Sequence, residues 1–230
     1  MPVDALPEPR RRYVKIMLQL GGAGESNVAA DIASQLNTVS LKSHERSFYT
    51  AFSVYLDHIN FRMDNIDVEP RTFPDGFFEH LHSRSEEDVC SRMFDAAAAA
   101  VRGSDVDEAA RAIAATQQPS GAFFSPHPEE HPELRWYHEL VMLHAVSSLA
   151  LHSRHPTALN VMTKAAAFHH AETQPDHATT QPLALHAFLQ DLDMLPTVDF
   201  MLHAAMTQGE VEPVSKLLLL DAAVALLLER

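Results

Sequence analysis

From residue 85 to the end of the chain, apolar positions recur three and four apart in runs of helical length, and helix start and stop residues bracket each run. Ser85 precedes Glu86, Glu87 and Asp88, acidic residues suited to the positive end of a helix. The run "VCSRMFDAAAAAV" then stops at Gly103, a residue free to take the left-handed conformation that closes helices. Ser104 opens "DVDEAARAIAATQ" in the same manner. Pro132, Pro156, Pro182, Pro196 and Pro213 each stand just ahead of an apolar periodic run, where a first-turn proline is tolerated, and Gly209 closes the run before Pro213. Between these marks Ala, Leu, Met and Glu dominate, with little β-branched alternation. The expectation is an all-α protein of antiparallel helical hairpins over residues 85–230. Residues 1–84 form a mostly helical segment with loops. There "NVAADIASQL" and "HERSFYTAFSVYLDHI" read as helices, "DVEPRTFPDG" as a loop, and "YVKIMLQL" as strand or helix. Both segments are expected to share one compact domain.

The hairpin region also repeats. Thr-Gln recurs at 116–117, 173–174 and 207–208, and each pair is followed by a helix with a related core. These cores are "MLHAV" at 142–146, "ALHAF" at 184–188 and "LLDAA" at 219–223. His144, His186 and Asp221 thus occupy equivalent positions. A polar residue recurring on otherwise apolar helices points toward a shared interior.

Composition narrows the function classes. The chain has 230 residues, 46% hydrophobic and 21% charged, enough to bury a core. Its formal net charge of −14 repels phosphate backbones, so nucleic-acid and anionic-membrane partners are not expected. The single cysteine, Cys90, excludes an internal disulfide and a Cys-rich zinc site. No apolar run has spanning length and no signal-peptide pattern is present, so the cytoplasm is the expected compartment.

Two resemblances bear on fold and chemistry. "LGGAGES", closing at Gly22-Ala23-Gly24-Glu25-Ser26, resembles the phosphate loop of heterotrimeric G-protein α subunits. The lysine and hydroxyl that meet phosphate and magnesium there fall at Val28 and Ala29 here, which leaves a glycine turn capping a helix. "QPSGAFF" from Gln118 and the aromatic-led "PELRWYHELVMLHAV" resemble the repeat units of the α/α-toroid proteins, the terpenoid-cyclase and protein-prenyltransferase architecture. That resemblance covers roughly residues 85–230. It implies inner and outer helices stacked as a partial toroid or arc, with polar linkages facing a central cavity. The hairpins are too few to close a ring, which points to an open arc or a homo-oligomer. Asp191-Leu-Asp193 is half of the cyclase acid motif, and Asp88-Val-Cys90 has the spacing of the prenyltransferase zinc pair.

The fifteen histidines are the compositional oddity. "HHAETQPDHATTQP", His169 to Pro182, offers His169, His170 and His177 as nitrogen ligands for zinc or manganese, with Glu172 and Asp176 as oxygen donors. The same stretch offers His177, Asp176 and Glu172 as catalytic acid/base groups. The same stretch also reads as a hairpin connection, with Asp176 or Thr179/Thr180 capping a helix and Gln174 and Gln181 satisfying helix-end backbone. Trp136, beside His138 and Glu139, is a candidate pocket wall, with His138, His144, His186, Gln174 and Gln181 as candidate ligand contacts. Two functions follow. One is a scaffold binding a protein. The other is an enzyme or ligand-binding protein, its His/Asp/Glu-lined cavity at the repeat linkages holding a small molecule with or without a divalent metal.

Overall fold

The computed structural model describes residues 3–22, 27–41, 43–58, 89–123, 132–173, 181–207 and 209–228. It is all-α, with no strand among the described residues. The helices are α1 (Arg10–Leu20), α2 (Val28–Leu36), α3 (Ser43–His58), α4 (Val89–Val101), α5 (Asp107–Thr116), α6 (Pro132–Ser153), α7 (Pro156–Phe168), α8 (Leu185–Phe188), α9 (Leu195–Thr207) and α10 (Pro213–Leu227). A single π-helical turn, His169–Thr173, extends α7. No described helix is long and apolar enough to cross a membrane.

The punctuation acts largely where the residues place it. Pro132, Pro156 and Pro213 are the first residues of α6, α7 and α10. Gly103 has φ +77, and the Ser104 N–H bonds the Ala99 carbonyl at 2.9 Å, closing α4 in a Schellman-type turn. "YVKIMLQL" is helical, and α1 ends at Gly21 and Gly22. Asn27 starts α2 by accepting the Ala30 N–H. Two expected starts shift. Asp105, not Ser104, receives the first N–H of α5, because its carboxylate reaches Asp107 N at 2.9 Å. Pro182 opens only the single turn α8, since Ala184 takes φ 58 and the chain turns again at Leu189 and Gln190. The expected starts at residues 85–88, the loop at 67–76 and the turn at 23–26 lie outside the described residues.

Packing follows from which faces are apolar. α10 is buried nearly all round, mostly by apolar residues: Leu217–Leu220, Ala222, Ala223, Val224, Ala225, Leu226 and Leu227 are all buried, with Ser215 and Asp221 among them, and it packs against α1, α2, α6 and α8. Each buried leucine contributes about 1.5–3 kcal/mol over an exposed one. Gly21 allows α1 to close on this helix, since a Cβ there would lie 2.7 Å from a Leu220 methyl. α3 packs between α2 and α4, and the alanines Ala96, Ala97 and Ala98 let α4 lie close to its neighbours. α6 lies against α4, α7, α8 and α10. The helices before residue 59 and those after residue 88 therefore share one hydrophobic cluster.

Connections are tied down by side chains. Arg46 donates to the Leu36 and Val39 carbonyls, both at 2.7 Å, satisfying the end of α2. Gln117 of the first Thr-Gln pair donates to the Gly121 and Val161 carbonyls, fastening the end of α5 to α7. Gln174 and Gln208 lie outside the described residues.

Candidate functional site

One face of α6 carries His144, Ser148 and His152 at four-residue spacing, one turn apart. Opposite them stand Asp221 from the middle of α10, His186 from α8 and Tyr49 from α3. All but His152 are buried as whole residues, and its side chain is only 5% exposed. Asp221 sits at the centre. Its Oδ1 lies 3.1 Å from His152 Nε2, and its Oδ2 lies 3.3 Å from Ser148 Oγ, 3.6 Å from His186 Nε2 and 3.7 Å from His144 Nε2. His144 Nε2 is 3.0 Å from the Tyr49 hydroxyl, and the His144 and His186 rings stack at 5.0 Å. His144, His186 and Asp221 thus meet at one point.

Charges in this cluster follow from burial and contact. Burial opposes ionisation of Asp221, but the hydrogen bond from His152 and the surrounding imidazoles overcome it and hold the carboxyl below its ordinary range. His144 is lowered to about 3, by burial first and then by His186, with Asp221 opposing. Burial lowers His186 as well. Burial raises Tyr49 well above 10, helped by the negative charges of Asp221 and Glu45. At neutral pH the cluster holds a carboxylate, two neutral imidazoles at 144 and 186, and a neutral phenol.

The tautomer of His144 can be read from its partners. The Ala184 N–H donates to Nδ1 at 3.2 Å, so Nδ1 carries no proton and Nε2 does. That Nε2–H donates to the Tyr49 oxygen. The Tyr49 hydroxyl hydrogen is then left to point elsewhere, and Tyr49 lines a pocket. This pocket, about 150 Å3, lies between α3, α4, α6, α10 and residues 181–183. Glu45 and Tyr49, one turn apart on α3, line it with His144, Phe94 and Gln181. The volume matches that of a cavity holding a single six-membered ring.

His144, His186 and Asp221 also offer ligand atoms within 4.8 Å of one another, the spread of a metal set. The protons do not suit one. A metal on His144 Nε2 needs the proton on Nδ1, donating to an acceptor, as metal-bound histidines do. Here Nδ1 faces the Ala184 N–H instead. Without His144 only His186 and Asp221 of the three remain, one short of the three protein ligands of a catalytic zinc.

The other candidates are dispersed. His169 and His170 do not converge: His169 is 1% exposed, packs edge-on against Phe168 and hydrogen-bonds the Glu139 main chain, whereas His170 and Glu172 are exposed. Burial lowers His169 to about 4, against that hydrogen bond. Gln174, Asp176 and His177 lie outside the described residues, as does the His138 side chain. Trp136 is half-buried near the start of α6 and does not line the pocket. Glu139 is buried and accepts the Phe123 N–H at 2.9 and 3.1 Å, fixing the chain after α5. Asp191 caps a short 3-10 turn by accepting the Asp193 N–H. Sequence reasoning missed Tyr49, Glu45, Ser148 and His152. The spacing His144-x3-Ser148-x3-His152 was a usable signal for the last two. No family model, curated protein or solved structure matches this chain.

Proposed function

We propose that this protein is a ligand-binding protein whose site is the pocket over Tyr49 and His144, at the linkage that enters α8. The carrying observation is the hydrogen-bond direction. Ala184 fixes the His144 proton on Nε2, His144 donates it in a hydrogen bond to the Tyr49 oxygen, and the phenol of this pocket-lining residue keeps its own hydrogen to donate. Asp221 and its imidazoles hold this arrangement rigid from behind. A ligand would place a carbonyl or hydroxyl oxygen on Tyr49 and a donor on Glu45 or Gln181, between the apolar walls of Phe94, Leu183 and Leu217.

A fragment screen read by methyl NMR of Leu183 and Val214 tests this. Binders should perturb those methyls, and Tyr49→Phe should weaken them about tenfold, the worth of one hydrogen bond near a charge. Binders indifferent to Tyr49→Phe, or no fragment reaching these methyls, would sink the reading.

A protein-binding scaffold is a second reading, favoured by one observation. Leu192, Phe200 and Met206, on α9 and the turn before it, are 75%, 44% and 56% exposed. If the groove that Phe200 and Met206 line meets a second copy of the chain, sedimentation velocity should show concentration-dependent association that Phe200→Ser with Met206→Ser abolishes.

A further inference from the structure

The His144 ring in the pocket lining has one lone pair, and that lone pair is taken. Nε2 carries the proton, so a second proton can enter only at Nδ1, where the Ala184 N–H already donates at 3.2 Å. A charged His144 would set two N–H donors against each other across that distance. The Ala184 contact therefore lasts only as long as the ring is neutral. Ala184 is also the strained joint of the pocket wall. It holds φ 58, a left-handed conformation that a side chain makes costly, and its carbonyl accepts the Ala187 N–H that opens α8. Just before it, Leu183 bonds the Gln181 carbonyl at 2.8 Å in a three-residue turn, and both residues line the pocket.

The groups around His144 come from five helices. α3 brings Tyr49, whose oxygen takes the Nε2–H, with Glu45 one turn earlier in the pocket lining. α4 brings the uncharged Phe94 ring at 6.1 Å. α8 brings the stacked His186 and α6 itself brings His152, and both oppose a charge on His144. α10 brings Asp221, which favours one, but it lies 3.7 Å from Nε2, the nitrogen already protonated. We propose that His144 is an acid-operated latch on the pocket: below neutral pH a proton at Nδ1 displaces the Ala184 N–H and frees residues 181–184 from the cavity before the helices come apart. This rests on the ligand-binding reading above and gives that site its regulation. His144 takes a proton at 6.5 once the wall is open and at about 3 while it is closed. Closure is therefore complete above 6.5 and is lost as the pH falls below it. Between pH 7 and pH 5 the opening constant rises roughly 25-fold.

Amide hydrogen exchange of the full chain, read by NMR at pH 7, 6 and 5, tests the latch without any ligand. The Ala184 amide should be less protected at each pH than that of Val224, buried in α10, and its protection should fall roughly 25-fold from pH 7 to pH 5. The Val224 amide follows global unfolding and should fall more steeply, since His169 adds its share. The Leu183 methyls should shift over the same range. In His144→Gln the Ala184 protection should hold nearly constant. An Ala184 amide that opens with the same free energy as Val224, or whose protection is level with pH in the wild-type chain, overturns the latch, and so does a fall that persists in His144→Gln. Should that variant not fold, the wild-type comparison decides alone. A pocket that binds no fragment would leave these exchange results untouched, so the two readings fail separately.

Discussion

Lowering the pH from 7 to 5 should remove several kcal/mol of folding stability, and the responsible histidines can be named. His144 is held to about 3 and His169 to about 4 in the folded chain, against 6.5 when unfolded. Both are depressed by burial of the neutral ring, so the unfolded state takes up protons first as the pH falls. Their contribution is complete above the unfolded value and declines by about 1.4 kcal/mol per pH unit for each histidine until the folded value is reached. Between pH 7 and pH 5 each therefore costs about 1.9 kcal/mol, or about 4 kcal/mol together. His186 is lowered as well and adds to the same loss. The Asp221 carboxyl has the same sign, but its window opens only below its unfolded value of 3.8, so it is silent here. Against a typical total of about 5–15 kcal/mol this is a large share. Urea unfolding followed by far-UV circular dichroism at pH 7, 6 and 5 measures it directly. His144→Gln should remove about one histidine's share of the slope, about 1.4 kcal/mol per pH unit. A stability flat to within about 1 kcal/mol over this range, or a His144 ring resonance that titrates near its unfolded value, would refute the reasoning.

Other outcomes follow from local geometry. Gly121→Ala should cost about 3 kcal/mol or more in thermal melts, because the residue has φ +97 and the new Cβ would lie 2.4 Å from the Lys164 carbonyl oxygen, main chain that cannot yield. Gly209→Ala, with φ +79 and open space, should cost only about 1–2 kcal/mol, and equal losses would contradict this account. Zinc or manganese added to the chelator-stripped protein should find no stoichiometric site that depends on His144; calorimetry showing one that His144→Gln abolishes would overturn the assignment of its proton to Nε2. Tyr49→Phe should keep the far-UV spectrum while weakening whatever fragments occupy the pocket.

Local chemistry settled much of this molecule before any packing was known. A proline without an N–H belongs in a first turn, a glycine at positive φ belongs past a last one, and so α6, α7, α10 and the end of α4 begin or stop where those residues stand. The likeness of the short stretches around His144, His186 and Asp221 went further. His144, His186 and Asp221 could be grouped from spacing alone, and His169 continues the buried face Ala158, Val161, Met162, Ala165 and Ala166. Tertiary structure decided what a histidine is for. The same imidazole is a core group at 169, a solvent-facing one at 170 and an N–H donor at 144, and the difference lies in which neighbours exclude water or present a hydrogen. Tyr49 reaches His144 across 95 residues of chain, and no local pattern records a contact at that separation. The tautomer of His144 was beyond sequence for the same reason: it depends on the Ala184 N–H, aimed by a left-handed residue at the mouth of α8, forty positions away. Spacing brings side chains to a common face, but only the packed chain sets the direction of each hydrogen bond, and that direction turns a buried histidine cluster from a metal set into the floor of a pocket.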